Sequence, residues 1–128
     1  MTSPAPQIIP TLGRIVLFKL ASWHANEINE RRKDYEEKAA YHSWKKNGTL
    51  VSRGNSVEVG QLVPAMVVAV WGNTPQAAVN LKLFLDGSDD HWVTSVCVGE
   101  REGDYQWMDY QKGQAAKTEK LQALLEEK

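Results

Sequence analysis

Cysteine is almost missing from this chain, because Cys97 is the only one among 128 residues. A single thiol excludes intrachain disulfides and paired-cysteine metal motifs. Disulfide-free chains are typical of reducing compartments, which predicts a cytoplasmic protein. The chain also lacks an apolar run near the roughly 18–20 residues of a membrane span, and its start, MTSPAPQIIP, lacks the features of a signal peptide. We therefore expect no membrane association.

An excess of charge of either sign is missing as well. The 15 basic and 16 acidic side chains leave a formal net charge of −1, which gives no global attraction to DNA, RNA or an anionic membrane. An anionic ligand would then need a local group of side chains.

Familiar catalytic sequences are also lacking. The chain contains no GxGxxG, no Walker sequence, no HxxxH pair and no nucleophile elbow. The carboxylates of Asp86, Asp89 and Asp90 invite a calcium interpretation, but the stretch lacks the length and the later glutamate of an EF-hand loop. Aspartate and glycine are common in hairpin turns. We predict a turn here, no metal site, no cofactor and no enzyme.

What the chain does contain is an apolar fraction of 42%, enough for the core of one domain of this length. Residues 63–98 predict three strands joined by polar turns, with the clearest alternation over 79–86. Further strands are predicted at 14–20 and 105–110, the latter completing a three-strand meander over 79–110. Ser22 and an Ala-, Glu- and Lys-rich stretch predict a helix over 23–46. We predict an α+β fold in which an antiparallel sheet packs with one long N-terminal helix and a short C-terminal helix.

The sequence predicts three parts of the chain. Residues 1–12 carry three prolines and predict a flexible arm. Residues 13–112 predict a single ligand-binding domain, with a loop over 49–61 that holds at most a short strand at 57–59. Residues 113–128 predict a helical tail whose leucines share one side, so that it either packs on the body or lies between subunits.

Three consecutive basic residues, Arg31, Arg32 and Lys33, lie in the predicted long helix. Guanidinium groups make bidentate contacts to phosphate, which is one interpretation of this run. Consecutive helical side chains point in different directions, however, and cannot all face one ligand. The pattern favours a solvated helix face.

Aromatic and polar residues are interleaved in the second half of the chain: Trp71, Asn80, Lys82, Trp92, Arg101, Tyr105 and Trp107. Aromatic rings stack on nucleobases, amides read base edges, and basic groups neutralise phosphate. Each ring taken alone is more simply part of the core. The collection favours a protein that binds a nucleotide-like ligand.

A family resemblance rests on six motifs in a fixed order. The chain resembles a family of small phage proteins that includes the first described Thoeris anti-defence sponges, over about residues 13–108. The motifs are GRIVLF at 13–18, INERR at 28–32, GNSV at 54–57, VWGNTP at 70–75, VNLKLFLDG at 79–87 and WVTSV at 92–96.

The resemblance implies sequestration without catalysis, in an infected bacterial host. Such proteins bind glycocyclic ADP-ribose, the signal made by bacterial TIR enzymes, and withhold it from the Thoeris effector. Some members also hold cyclic oligonucleotide signals of CBASS defence at a separate site. They form homodimers and, in some cases, trimers of dimers, with the ligand held near a subunit boundary.

Candidate site residues follow from the matching positions. Asn80 is implied to contact the ligand, Val70 and Trp71 to stack on its base, and Arg101 to meet its diphosphate. Together with Phe84 and Trp107 these make the candidate ligand-binding set. Lys45 and Arg53 are the candidates for a second, cyclic oligonucleotide site.

Two departures from the family pattern bear on the ligand. Val70 and Cys97 stand where the resemblance implies an aromatic and a basic residue, which leaves the cyclic ADP-ribose isomer open. Two other functions are also open: a metal-dependent nucleotide-degrading enzyme using Asp86, Asp89, Asp90 or His91, and a protein-binding inhibitor or phage structural component using the long helix and the tail.

Overall fold

The computed structural model describes residues 7–41 and 54–126 of the chain. They form an α+β fold, which confirms the predicted class. The elements are β1 Ile15–Lys19, α1 Ser22–Tyr41, β2 Leu62–Trp71, β3 Ala78–Phe84, β4 Asp90–Val96, β5 Tyr105–Gln106 and α2 Asp109–Glu126.

The strands form one antiparallel sheet in the order β4-β3-β2-β1-β5. β2, β3 and β4 make a meander, but β5 lies at the opposite edge, where Phe18 pairs with Tyr105 and Leu17 with Gln106. The prediction of residues 105–110 as the third strand of the meander is therefore wrong. The extended chain ends early because the Gln111 side chain accepts a hydrogen bond from Met108 N at 2.8 Å, and α2 then begins.

The two edges of the sheet approach each other at one end. Val98, two residues beyond β4, forms a parallel bridge with Tyr105 of β5. Gly99 N donates to Tyr105 O at 2.9 Å, and Tyr105 N donates to Cys97 O at 3.1 Å. The sheet therefore curls toward a barrel, which covers edge groups that would otherwise be unpaired.

One face of the sheet is buried, and we call it the covered face. Its apolar side chains follow the two-residue period of the strands: Val16, Phe18, Val63, Ala65, Val67, Val79, Leu81, Leu83, Val93, Val96 and Tyr105. α1 contributes Ala25 and Ile28 to the same core. Burial of a large aliphatic side chain is worth about 1.5–3 kcal/mol, so this face supplies most of the stabilisation.

The start of the chain and the loop after α1 also attach to the body. Ile8 packs against the core, and Pro10 is fully buried, although both belong to the predicted arm. The side-chain amide of Asn29 donates to Val57 O at 2.8 Å and accepts from Val57 N at 2.9 Å. This pair of bonds replaces strand pairing at Val57, which explains why the short strand predicted at 57–59 is not formed.

A buried ion pair ties α1 to the β3–β4 turn. Asp89 accepts from Arg31 Nη2 at 2.7 Å and from Arg32 Nη2 at 3.0 Å, and the side chains of Asp89 and Arg32 are each only 4% exposed. Burial raises the pKa of Asp89, but the hydrogen bonds from Arg32 and Arg31 outweigh it and leave the pKa below its usual range. The carboxylate is thus charged at neutral pH, and its contribution is lost only as the pH falls through that lowered pKa.

α2 is attached at its beginning and exposed beyond it. Gln111 Nε2 donates to Ile15 O at 2.8 Å, and this residue is buried. Leu121, Leu124 and Leu125 are 62%, 59% and 71% exposed. The helix begins four residues before the predicted tail and is almost as long as the described part of α1. Neither helix in the described ranges is long and apolar enough to cross a membrane.

Asp89→Asn should destabilise the protein strongly, because it leaves the buried Arg32 guanidinium without a counter-charge. Removal of one partner from a buried pair costs about 3–5 kcal/mol. Asp90→Asn is the matched control, since Asp90 forms an exposed pair with Lys82 at 3.2 Å and such pairs are worth at most about 1 kcal/mol. Urea unfolding at pH 7 measures both. Equal losses in the two variants would contradict a structural role for the buried pair.

Candidate ligand-binding site

The face of the sheet opposite the core carries exposed aromatic and polar side chains, and we call it the open face. Trp71, Phe84 and Trp92 on this face are 63%, 44% and 58% exposed. The register places Lys82 directly between Met66 of β2 and Trp92 of β4. Large rings are usually buried, so three rings left on one open face mark a surface suited to stacking.

Two irregularities in the sheet determine which side chains reach this face. In β2, the pairing with β3 shifts by one residue between Val67 and Ala69. A shift of one residue exchanges the two faces of a strand. Val67 therefore faces the core, whereas Trp71, four residues later, faces outward. Without the extra residue Trp71 would point into the core.

The second irregularity lies in β4, directly across β3 from the first. The β3–β4 pairing shifts between Leu81, opposite Val93, and Val79, opposite Val96. Ser95 at this bulge has φ of 56°, a left-handed conformation that is uncommon for residues other than glycine. Asn80, on β3, therefore has the β2 irregularity on one side and the β4 irregularity on the other.

Asn80 holds both neighbours in place. Its Oδ1 accepts a hydrogen bond from Trp71 Nε1 at 3.2 Å and another from Ser95 N at 3.1 Å. The amide therefore fixes the indole on one side and the strained bulge on the other. Trp71 and Asn80 both belong to the predicted site set, and the structure brings the two side chains together.

The neighbours of Asn80 on the open face add charge and a second indole. Lys82 follows Asn80 on the same side of β3, and its Nζ lies 3.2 Å from Asp90 Oδ2. Trp92 is directly across from Lys82. We call Trp71, Asn80, Lys82 and Trp92 the platform. Lys82 and Trp92 were absent from the predicted site set, although the alternation of β3 already put Lys82 on the side of Asn80. Ser95 left no signal in the sequence.

The other predicted site residues do not join the platform. Val70 packs against the core, and Trp107 is only 6% exposed, with its ring edge-on to Tyr105. Arg101 lies in the β4–β5 loop, where its side chain is 93% exposed and its Nε is 3.7 Å from Asp104. Phe84 shares the open face but is four residues along β3 from Asn80, about 13 Å at the usual rise. Lys45 and Arg53 lie outside the described residues.

The acidic turn and the basic run of α1 partner each other. Arg31 and Arg32 both bind Asp89. The guanidinium of Arg32 is buried, so the prediction of a solvated helix face is wrong for this residue, and it does not face a ligand either. Asp86 accepts from Asn55 Nδ2 at 2.7 Å, and Asp90 pairs with Lys82. Among the described residues, no group of three or more His, Cys, Asp or Glu side chains could hold a metal ion.

A cleft of about 410 Å³ lies between β4 and the start of α1, lined in part by Trp23, His24, Glu27 and His91. His91 Nδ1 is 3.3 Å from Arg31 Nη1, and its Nε2 is 3.3 Å from Glu27 Oε2. Because arginine only donates, Nδ1 must accept, and the proton then lies on Nε2 and is donated to Glu27.

His24 is held between two donors on the other side of this cleft. Its Nδ1 faces Ala21 N at 3.2 Å, and its Nε2 faces Trp23 Nε1 at 3.0 Å. A neutral imidazole accepts through only one of these two nitrogens, and protonation would turn both into donors that face donors. Burial, followed by the charge of His91, lowers the pKa of His24; burial, followed by the charge of Arg31, lowers that of His91. Both rings are therefore neutral at pH 7.

A larger groove of about 590 Å³ runs between the start of the chain and α2. Its lining residues include Ile8, Ile9, Ile15, Tyr110, Gln114 and Thr118. On α2, the spacing of four, three and four residues puts Gln114, Thr118, Leu121 and Leu125 on one side of the helix. The groove therefore continues along the helix into the exposed leucines.

Comparison with known proteins gives no relative: no family model, no curated protein and no solved structure matches this chain.

Stability should fall as the pH is lowered from 7.5 to 5.5. Because His24 and His91 have lowered pKa values in the folded state, the unfolded chain binds more protons below pH 6.5. The free energy of unfolding falls by at most about 1.4 kcal/mol per pH unit for each histidine. Urea unfolding at both pH values measures this loss, and His91→Gln should reduce it. Equal stability of the wild type at pH 7.5 and 5.5 would contradict the assignment of neutral rings.

Proposed function

We propose that this chain is a non-catalytic phage protein that binds and sequesters a cyclic nucleotide immune signal, glycocyclic ADP-ribose, in the cytoplasm of the infected bacterium and so inhibits Thoeris defence. The single observation that carries the proposal is the Trp71–Asn80 contact of 3.2 Å on the open face, with Lys82 and Trp92 beside it. This arrangement combines two stacking surfaces, an amide and an ammonium group within one platform.

The chemistry of the platform suits such a ligand. Indole rings stack on any nucleobase, and each stacked base contributes about 1–3 kcal/mol of binding free energy. Lys82, two residues along β3 from Asn80, brings an ammonium group to the same face, where a phosphate of the ligand would be neutralised in exchange for the exposed pair with Asp90. The ring of Trp71 and the amide of Asn80 are held by their mutual hydrogen bond before any ligand arrives, which reduces the entropy lost on binding.

Sequestration requires affinity and no turnover. The groups that a metal-dependent hydrolase would use are already engaged by other side chains: Asp89 by two arginines, Asp86 by Asn55, and His91 by Glu27 and Arg31. These contacts favour the sequestering function over the hydrolase. A second site for CBASS cyclic oligonucleotides at Lys45 and Arg53 stays a prediction from the family resemblance.

The protein is further proposed to act as a homodimer, with trimers of dimers as the larger assembly that the resemblance implies. The support is the row of Leu121, Leu124 and Leu125, each about 60–70% exposed on a helix that Gln111 attaches near its start. Isolated helices of this length are marginal in water. A second copy that covers the leucines and the adjoining groove would stabilise the helix by burying this apolar surface.

Trp71→Ala and Asn80→Ala should each abolish retention of the signal while preserving the fold, because Trp71 is exposed and Asn80 is outside the core. Isothermal titration with the product of a TIR reaction measures binding, and thermal unfolding checks the fold. Trp23→Ala is the matched control, since Trp23 is 60% exposed but lies at the cleft by α1. Intact binding by both platform variants would disprove the site.

Heating the loaded wild-type protein should release the nucleotide unmodified, as mass spectrometry can check. Recovery of a cleaved product would favour the nucleotide-degrading enzyme. Co-purification of a host or virion protein, with no nucleotide bound, would favour the protein-binding inhibitor or structural component.

The double variant Leu121→Gln, Leu125→Gln should shift the protein from dimer to monomer, with a dissociation constant at least tenfold higher. Sedimentation equilibrium over a range of concentrations measures the shift. Val59→Gln is the control, because Val59 is 49% exposed and lies in the turn before β2. A wild-type protein that stays monomeric, or a double variant that dimerises as well as the wild type, would contradict dimerisation through α2.

A further inference from the structure

The side-chain amide of Asn80 has a fixed orientation. Two N–H groups point at one of its ends, the indole N–H of Trp71 at 3.2 Å and the backbone N–H of Ser95 at 3.1 Å. Neither donor can accept a hydrogen bond, so the atom that faces them must be the oxygen. A flipped amide would bring its NH₂ group against both donors and lose both bonds.

This orientation leaves Asn80 with donors only. Both lone-pair directions of Oδ1 are occupied, whereas Nδ2 has two N–H groups and no hydrogen-bond partner among the described residues. Asn80 is half-buried on the platform, two residues along β3 from Lys82, whose ammonium group is paired with Asp90. The indole N–H of Trp71 is also used, so this ring offers a ligand only its faces.

We propose that Asn80 makes the platform selective for ligand groups that accept hydrogen bonds, and that it rejects amino groups at the same position. The inference rests on the proposed function, since it assigns the polarity of the same site. Asparagine commonly reads adenine through both its oxygen and its NH₂ group, which meet the amino group and N7. That mode is closed here because Trp71 and Ser95 occupy the oxygen.

Two ligand groups share the required chemistry. One is the O6 acceptor of a 6-oxopurine, which a single N–H of Nδ2 can meet. The other is a phosphate oxygen, which a charge-assisted bond from Nδ2 would hold. This second group is the one that fits glycocyclic ADP-ribose, because adenine carries an amino group at position 6. In both cases the ligand offers an acceptor to the NH₂ group.

Asn80→Asp tests the polarity with little change of shape. The introduced carboxylate accepts from the same two N–H groups but presents an oxygen where the NH₂ group was. The indole N–H signal of Trp71 and the backbone signal of Ser95 should therefore stay near their wild-type positions in ¹H–¹⁵N spectra. Asn80→Ala removes the acceptor, and both signals should move.

The probes are inosine 5′-monophosphate and adenosine 5′-monophosphate, which differ at position 6 by a carbonyl acceptor against an amino donor. Wild-type protein should bind the inosine nucleotide, and Asn80→Asp should weaken that binding at least tenfold. If Asn80 contacts the base, the wild type prefers the inosine nucleotide and Asn80→Asp reverses the preference. If it contacts phosphate, the variant loses both nucleotides equally.

Three results would overturn the inference. The first is Asn80→Asp binding the inosine nucleotide as the wild type does while keeping both N–H signals. The second is a wild-type preference for the adenosine nucleotide that Asn80→Ala abolishes, and the third is no shift of the Trp71 and Asn80 signals by either probe. The proposed function fails by a different result, the absence of binding to the TIR product. The two failures are therefore read from separate titrations.

Discussion

One extra residue in β2 and one in β4, on either side of Asn80, determine what the open face of the sheet presents. Side chains alternate strictly along a strand, so each extra residue exchanges core and solvent for everything that follows it. The shift after Val67 turns Trp71 outward, and the shift before Val96 puts Ser95 into a left-handed conformation. Asn80 bonds to both displaced residues. Bulges are frequent beside binding sites because they re-aim side chains in this way, and here two of them converge on one amide.

The rest of the fold supports that face from behind. α1 covers the core side and is bound to the β3–β4 turn through Asp89, whose carboxylate meets two guanidinium groups. This attachment has an energetic cost, since Nε and Nη1 of the buried Arg32 have no partner among the described residues, nor does the Tyr105 hydroxyl. The same turn starts β4 and so positions Trp92 across from Lys82. The helix behind the sheet and the turn it holds therefore fix where β3 and β4 present their open-face side chains.

Much of the fold could be predicted from local patterns. Alternation placed β3 within one or two residues, and the cap at Ser22 with its helix-forming stretch placed the beginning of α1. β5 could not be placed this way, because its pairing with β1 joins residues almost 90 positions apart and its length is limited by the Gln111 cap. In the candidate site, the side chains of Trp71 and Asn80 are in contact, while Trp107 belongs to the core and Val70 faces it. A tryptophan carries the same local pattern in both settings, so only its neighbours in space separate the two.

The sequence by itself determined the class of the fold and the apolar side of each regular strand. It also determined a net charge near zero, which gives the chain no overall attraction to nucleic acid. These follow from composition and from the two-residue period of strands, which are properties of neighbouring positions. Only the tertiary structure decided that the rings of Trp71 and Trp92 share the open face with Asn80 and Lys82, and that Asn80 presents donors alone. Both outcomes depend on register shifts and on hydrogen bonds between three strands, and one extra residue in a strand leaves no mark in the pattern of the residues before it.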